Sequence, residues 1–139
     1  MRRSPFSLLN DLRQKPQRLG TASKYTALNG IGYLAIGAIL IAWPGAIQTV
    51  FREPPFAGHE QALMRVIGLT VVGIGWLYLF GGRSGARQFI VASVIDRLVF
   101  VPAVLVPLAI VGVFPRLFLT FAVLDVSLAI GAWALLARE

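Results

Sequence analysis

The sequence predicts an all-α membrane protein whose 139 residues fold into an antiparallel bundle of four transmembrane helices. Hydrophobic residues make up 57% of the chain and charged residues only 14%, whereas a typical soluble domain has about 25% charged residues. A chain this short cannot bury so much apolar surface in one aqueous core. The apolar residues also form four long stretches, each close to the roughly 20 residues that a helix needs to cross a bilayer.

The segment ahead of the first span, residues 1–26, is polar and basic, and we predict that it is cytoplasmic. Ser4 followed by Pro5 is typical of a helix start, and Leu9 and Leu12 continue at helical spacing. This pattern predicts a short interfacial helix on the membrane surface. The basic side chains beside it would attract anionic lipid headgroups.

The net charge of +7 is also compatible with nucleic-acid binding. However, six of the thirteen basic residues lie within the first 24 positions, which is typical of the cytoplasmic flank of a membrane protein. We therefore predict the lipid bilayer as a partner, and no nucleic acid. The chain has no cysteine, which excludes disulfides and thiolate chemistry.

The remainder of the chain, residues 27–139, is predicted to be the four-helix transmembrane domain. The predicted spans are about 27–50, 62–80, 88–111 and 116–137. We expect Pro44 to bend or end the first helix near its outer end, where Trp43 is placed like an interfacial anchor. An outer loop with two adjacent prolines, a tight basic turn and a short hairpin connect the spans.

The distribution of basic residues predicts the orientation of the bundle. The N-terminal segment, the turn at residues 81–87 and the C-terminus share one side and carry nine Lys and Arg residues. The other side carries only Arg52 and Arg116. The positive-inside rule then places both termini in the cytoplasm. Arginine outnumbers lysine eleven to two, which is typical of a GC-rich bacterial genome and so favours a bacterial inner membrane.

Four ionisable side chains fall inside the predicted spans: Arg65, Asp96, Arg97 and Asp125. Such residues usually face the interior of a bundle and find partners, because a charge inside a bilayer is costly. Asp125 is too short to reach either interface, and it shares a helix face with Ala122, Ala129 and Ala132. Two interpretations remain open, a proton-titrating or cation-binding carboxylate and a carboxylate locked in an ion pair.

The expected partner of Asp125 is Arg97, with Arg65 as the alternative. Counting through the last hairpin leaves about 9 Å along the helix axis between Asp125 and Arg97, which a long guanidinium can largely cover. We expect the face of Arg65 to point inward, although its side chain is also long enough to extend outward to the interface. The step Asp96-Arg97 has a second interpretation, in which it marks the membrane interface at the start of the third span.

His59 and Glu60 lie where the outer loop enters the second span, and they are the possible ligand-binding residues outside the bundle. Histidine is a common ligand of metals and of haem. A single histidine without cysteine cannot complete a closed metal site. We therefore predict a solvated loop histidine, no metal and no cofactor, and we keep haem bound through His59 as the alternative.

The small-residue pairs Ala38-x-x-x-Ala42 and Ser127-x-x-x-Gly131 predict close helix contacts, within the chain or between copies of it. No catalytic motif is evident, so enzyme activity stays open. The sequence favours a non-catalytic module or subunit of a membrane assembly or homo-oligomer. One alternative is a small transporter or ion-coupled carrier that uses Asp125. Another is a membrane enzyme that acts on an apolar small molecule.

Three short motifs resemble a known class of proteins. Trp43-Pro44-Gly45 ends the first span, Arg65-Val66-Ile67-Gly68 opens the second, and Asp96-Arg97 lies in the third. Over about residues 27–137, the chain resembles small four-span bacterial membrane proteins, the DoxX-like and similar uncharacterised groups. This resemblance implies the four-span fold and transfers no catalytic residue.

Overall fold

The structure is a computed structural model that describes residues 5–14 and 16–139. The expected capping residue Ser4 lies outside these residues. Within them the chain forms helices and no β-strand. The elements are α1 (Pro5–Arg13), α2 (Thr21–Ala42), α3 (Ala46–Phe51), α4 (Glu60–Arg83), α5 (Arg87–Ile95), a π-helical segment (Asp96–Phe100), α6 (Val101–Ile110) and α7 (Pro115–Leu136).

Four helical stretches are long and apolar enough to cross a membrane. They are Thr21–Ala42, Glu60–Arg83, Arg87–Ile110 and Pro115–Leu136, the third of which combines α5, the π segment and α6. The prediction of an all-α bundle of four membrane helices is confirmed. Their length and apolar composition are those of a multi-pass integral membrane protein.

The bounds of the first span differ from the prediction. Helix α2 begins six residues earlier than expected, at Thr21, and it therefore includes Lys24. It ends at Ala42, because Pro44 disfavours the helical conformation for Trp43. The chain resumes as the short helix α3, so residues 43–50 do not continue the membrane helix.

Helices α2 and α4 pack with their backbones in direct contact. Gly30 and Gly37 on α2 face Gly75 and Gly68 on α4, while Gly82 on α4 lies against Ser23 and Ala27, and within each helix these glycines are seven residues apart. A Cβ added at Gly37 would lie 2.7 Å from the carbonyl oxygen of Gly68, and one added at Gly75 would lie 2.8 Å from that of Gly30. Only glycine permits this approach, and the seven-residue repeat keeps it in register along the pair.

The small-residue pairs singled out in the sequence lie elsewhere. Ala38 and Ala42 are exposed on the outer face of α2 and make no close helix contact within the described chain. Ser127 is also exposed, and its hydroxyl donates a hydrogen bond to the carbonyl of Val123, 2.7 Å away. Only Gly131 of these four approaches another helix, since a Cβ there would collide with the hydroxyl of Tyr25.

Carboxylates from distant parts of the chain bind two helix N-termini. Glu53, buried in the loop after α3, accepts hydrogen bonds from the N–H groups of Arg116 and Leu117 at 2.7 and 2.9 Å. At the other end of the bundle, Glu139 accepts a hydrogen bond from the N–H of Ala22 at 2.8 Å. Each carboxylate accepts hydrogen bonds from free N–H groups in the first turn of a helix. Its negative charge also interacts favourably with the positive end of the helix dipole.

The α-helical pattern of the third span is interrupted twice. At its centre the N–H of Val101 bonds to the carbonyl of Asp96, five residues back, and Pro102 has no N–H with which to restore the α-helical pattern. Pro107 interrupts the pattern again inside α6. In the described chain, α4 packs on α2 and α5, whereas α6 packs on α7. A cleft is therefore left between α4 and α6.

Candidate functional site

The cleft encloses a cavity of about 330 Å³ in the interior of the bundle. Ile67 of α4, Phe100 of the π segment and Val104 of α6 line it and are also exposed on the outer face of the bundle. The cavity therefore opens sideways, toward the surface that would contact lipid. Its walls are apolar except for a small group of polar side chains: Tyr33, Tyr78, Asp96, Arg97 and Asp125.

Asp125 comes from the middle of α7 and is 6% exposed. It lies on the face that carries Ala122, Ala129 and Ala132, and all four residues are buried, as the helical spacing predicts. The hydroxyl of Tyr33 on α2 donates a hydrogen bond to its carboxylate. The first and last membrane helices are thus joined by a polar contact at the wall of the cavity.

Arg97 comes from the π segment and is 1% exposed. Its Nε donates to the carbonyl of Ser93 at 3.0 Å, and its Nη2 donates to the Ser93 hydroxyl at 3.3 Å. The guanidinium lies over the ring of Tyr78, 4.9 Å from the ring centre, in a cation–π contact. Nη1 is buried and has no hydrogen-bond partner among the described residues.

Asp96 is connected to the same group through Tyr78 on α4. The hydroxyl of Tyr78 donates to Oδ2 of Asp96 at 3.2 Å. The ring of Tyr78 meets the ring of Tyr33 edge to face, with 5.5 Å between their centres. Asp125, Tyr33, Tyr78, Asp96 and Arg97 therefore form one connected network, which we call the polar network, and it draws on all four membrane helices.

The expected ion pair between Arg97 and Asp125 does not form. Both side chains line the cavity, but among the described residues no ion pair joins them, and Asp125 is bound by Tyr33 instead. Counting residues along straight helices misplaces Arg97, because the π segment changes the register of the third span. Sequence reasoning also overlooked Tyr33 and Tyr78. The signal for both was a tyrosine within an apolar span, whose hydroxyl needs a partner when it is buried.

Arg65 does not belong to the polar network. It is exposed, since the inward face of α4 at this level is formed by Met64 and Gly68. The expectation that Arg65 points inward is wrong, and its outward position agrees with the alternative in which the side chain extends toward the interface. Asp125 therefore has neither of its expected arginine partners.

Asp96 and Arg97 lie near the middle of the candidate span Arg87–Ile110. Helix α5, which precedes them, is packed into the bundle through the buried side chains of Ile90 and Val94. Both charged residues therefore lie inside a continuous helical stretch rather than at its end.

His59 and Glu60 lie apart from the cavity. His59 is exposed in the loop, and Glu60 accepts a hydrogen bond from the N–H of Ala57 at 2.7 Å, which closes the turn before α4. Within the described residues, no group of three or more His, Cys, Asp or Glu side chains is placed to hold a metal ion.

Comparison with known proteins found no match to this chain. No protein-family model matches the chain. No curated protein and no solved structure is significantly similar to it.

Proposed function

We propose that this integral membrane protein is a non-catalytic module that binds a small lipid-soluble molecule inside its helix bundle. The observation that carries the proposal is the cavity of about 330 Å³ between α4 and α6, open on the apolar side and bounded by the polar network. Binding sites for small molecules are typically concave and mainly apolar, with a few polar groups that fix the orientation of the ligand.

The position of the polar groups supports binding over a purely structural role. Two carboxylates, a guanidinium and two phenol groups in the interior of an apolar bundle are costly, and such groups usually belong to a functional site. A polar network that served only to hold the helices together would not need to border a cavity. Asp125 and Arg97 both do so.

A blocking substitution tests the proposal. The purified protein in a non-ionic detergent is titrated with a solvatochromic apolar dye, whose emission shifts to the blue when it is bound. Val104→Trp places an indole at the opening of the cavity and is expected to remove most of the shift. Val123→Trp is the matched control, because Val123 is similarly exposed on α7 but does not line the cavity. Equal dye binding by both variants would contradict the proposal.

A second candidate function is a carrier that is coupled to protons or ions. Asp125 favours it, because this buried carboxylate borders the cavity and has no cationic partner in the described chain. Asp125→Asn is then expected to abolish coupled flux in liposomes. Flux that the substitution leaves unchanged would argue against a carrier. The enzyme alternative, with haem on His59, requires a Soret band in the purified protein.

Self-association and membership of a larger membrane assembly are also part of the proposal. The outward position of Ala38 and Ala42 leaves a small-residue face available on α2. Native mass measurement in mild detergent is expected to give a multiple of the 15.1 kDa chain mass or a complex with other subunits. A monomer throughout would contradict this part of the proposal.

For the location, we propose a bacterial inner membrane with both termini in the cytoplasm and α1 on anionic lipid headgroups. The chain has no cysteine, so single cysteines can report the topology. In intact cells, a membrane-impermeant maleimide is expected to label Ala57→Cys and to leave Ser84→Cys unlabelled. The reverse pattern would invert the orientation.

A further inference from the structure

We infer that the ligand of the cavity is a lipid-soluble organic cation, and that this cation competes with a proton for Asp125. The inference rests on the proposed function, because it names the chemical class of the molecule that occupies the same cavity. Three properties of the site lead to it: the charge balance, the aromatic lining and the neutral partner of Asp125.

The charged groups of the polar network do not balance. Asp96 and Arg97 contribute opposite charges, and Asp125 adds a second negative charge, so the formal sum with all three ionised is −1. No other side chain that lines the cavity in the described chain carries a charge. Helix α2 contributes the neutral Tyr33, and α4 contributes the neutral Tyr78, while α6 contributes only apolar side chains. A monovalent cation brings the sum to zero, whereas an anion would double the imbalance.

Asp125 is the carboxylate of the polar network that no cation contacts in the described chain. The guanidinium of Arg97 is held by Ser93 and by the ring of Tyr78, and Asp96 accepts the hydroxyl of Tyr78. Asp125 receives a hydrogen bond from the neutral phenol of Tyr33. A buried carboxylate without a cation is unfavourable, so it requires either a proton or a positively charged partner.

The remaining walls of the cavity suit an organic cation. Aromatic rings line it at five positions: Tyr33, Tyr78, Phe100, Phe118 and Phe121. The faces of aromatic rings attract cations, and cages of such rings bind quaternary ammonium groups. A hydrated metal ion would lose its water on entering through the apolar opening, whereas an organic cation with apolar substituents would not.

Competition with a proton follows from the shared position. Either a proton or the organic cation neutralises Asp125, and the two cannot do so together. Cation binding to the protonated form therefore releases one proton to solvent. Because a higher pH favours this release, the affinity for the cation rises with pH over the range in which Asp125 is protonated in the free protein.

The test uses phenyltrimethylammonium and its neutral isostere tert-butylbenzene, which have the same shape and differ in charge. The full chain in non-ionic detergent is titrated calorimetrically with each probe at several pH values. We expect the cation to bind more tightly than the isostere, with an affinity that rises by up to about tenfold per pH unit. The isostere is expected to bind with no pH dependence.

Two variants assign the effect to Asp125. Asp125→Asn is expected to weaken cation binding about tenfold or more and to remove its pH dependence, while tert-butylbenzene still binds. Glu60→Gln removes one carboxylate outside the cavity and is expected to leave both probes unaffected. Release of a proton on cation binding is measured on the unmodified protein in weak buffer, so the test does not depend on Asp125→Asn folding.

The outcomes separate the two proposals. Equal binding of cation and isostere without proton release would overturn the cation inference and leave the proposed binding function standing. Undiminished, pH-dependent cation binding by a folded Asp125→Asn protein would overturn the role of Asp125. Failure of both probes to bind, together with equal dye binding by the Val104→Trp and Val123→Trp variants, would overturn the proposed function as well.

Discussion

The hydroxyl of Tyr33 on α2 donates a hydrogen bond to the carboxylate of Asp125 on α7, at a point where both side chains are buried at the wall of the cavity. This contact joins the first and the last membrane helix of the chain. It also supplies Asp125 with a hydrogen bond from another helix, in place of the arginine that the sequence led us to expect.

Removal of the Tyr33 hydroxyl is therefore expected to weaken the fold. Tyr33→Phe leaves the buried carboxylate of Asp125 without its donor and should lower the free energy of unfolding by about 1–3 kcal/mol. Unfolding in a graded mixture of mild and denaturing detergent measures the change. Thr70→Val is the control, since the Thr70 hydroxyl is exposed and bonds only within its own helix. A loss no larger than that of the control would contradict the assigned contact.

The close contact of α2 and α4 predicts opposite effects at two nearby glycines. Gly75→Ala adds a Cβ 2.6 Å from the N atom of Leu34 and must force the helices apart, at a cost of about 1–3 kcal/mol. Gly73→Ala meets no atom within 4 Å, so the better helix propensity of alanine should stabilise the protein by up to about 1 kcal/mol. Thermal unfolding of the two variants compares them directly. Similar midpoints would show that the helices do not meet at Gly75.

The buried carboxylate of Glu53 is expected to hold the start of α7. Glu53→Ala leaves the N–H groups of Arg116 and Leu117 without acceptors and should cost about 1–3 kcal/mol. Hydrogen exchange is the direct measurement, because these two amides should lose protection selectively. Glu60→Ala serves as a comparison, since Glu60 is less buried and accepts from the single amide of Ala57. Unchanged protection at Arg116 would exclude the cap.

Arginine at position 97 is expected to be required for its shape as well as for its charge. Arg97→Lys keeps the charge but cannot reproduce the flat contact with Tyr78 together with two hydrogen bonds to Ser93. We expect a loss of about 1–3 kcal/mol in the free energy of unfolding. Arg65→Lys, on the exposed face of α4, should change it by less than about 0.5 kcal/mol. Equal effects would indicate that Arg97 is not held as described.

The membrane helices followed from the sequence because apolar run length is a property of each segment by itself. The exact start of α2 did not follow, because Lys24 looked like the end of the basic flank. Its long side chain allows it to lie within the first turns of a membrane helix. For the end of the same helix, we expected Pro44 to bend or stop it, but the predicted span still ran to residue 50, eight residues past Ala42.

The helix contacts were harder to predict, because they depend on pairs of segments. Gly37 and Gly68 are informative only when they are placed opposite each other, and the sequence does not give the rotation of either helix. The prediction that Arg97 is the partner of Asp125 failed for a related reason. The π segment turns Arg97 to a register that no count along a regular helix provides, and Tyr33 was considered only as part of an apolar span.

The glycine contact between α2 and α4 also implies an order of assembly during synthesis. These two helices are neighbours in the chain, so their interface can form once residue 83 has entered the membrane, before the third and fourth spans have done so. Until α7 enters the membrane, the hydroxyl of Tyr33 lacks its acceptor Asp125. Completion of the polar network is therefore a late event, and a nascent chain truncated before α7 should be distinguishable from the finished protein by the membrane quality-control machinery.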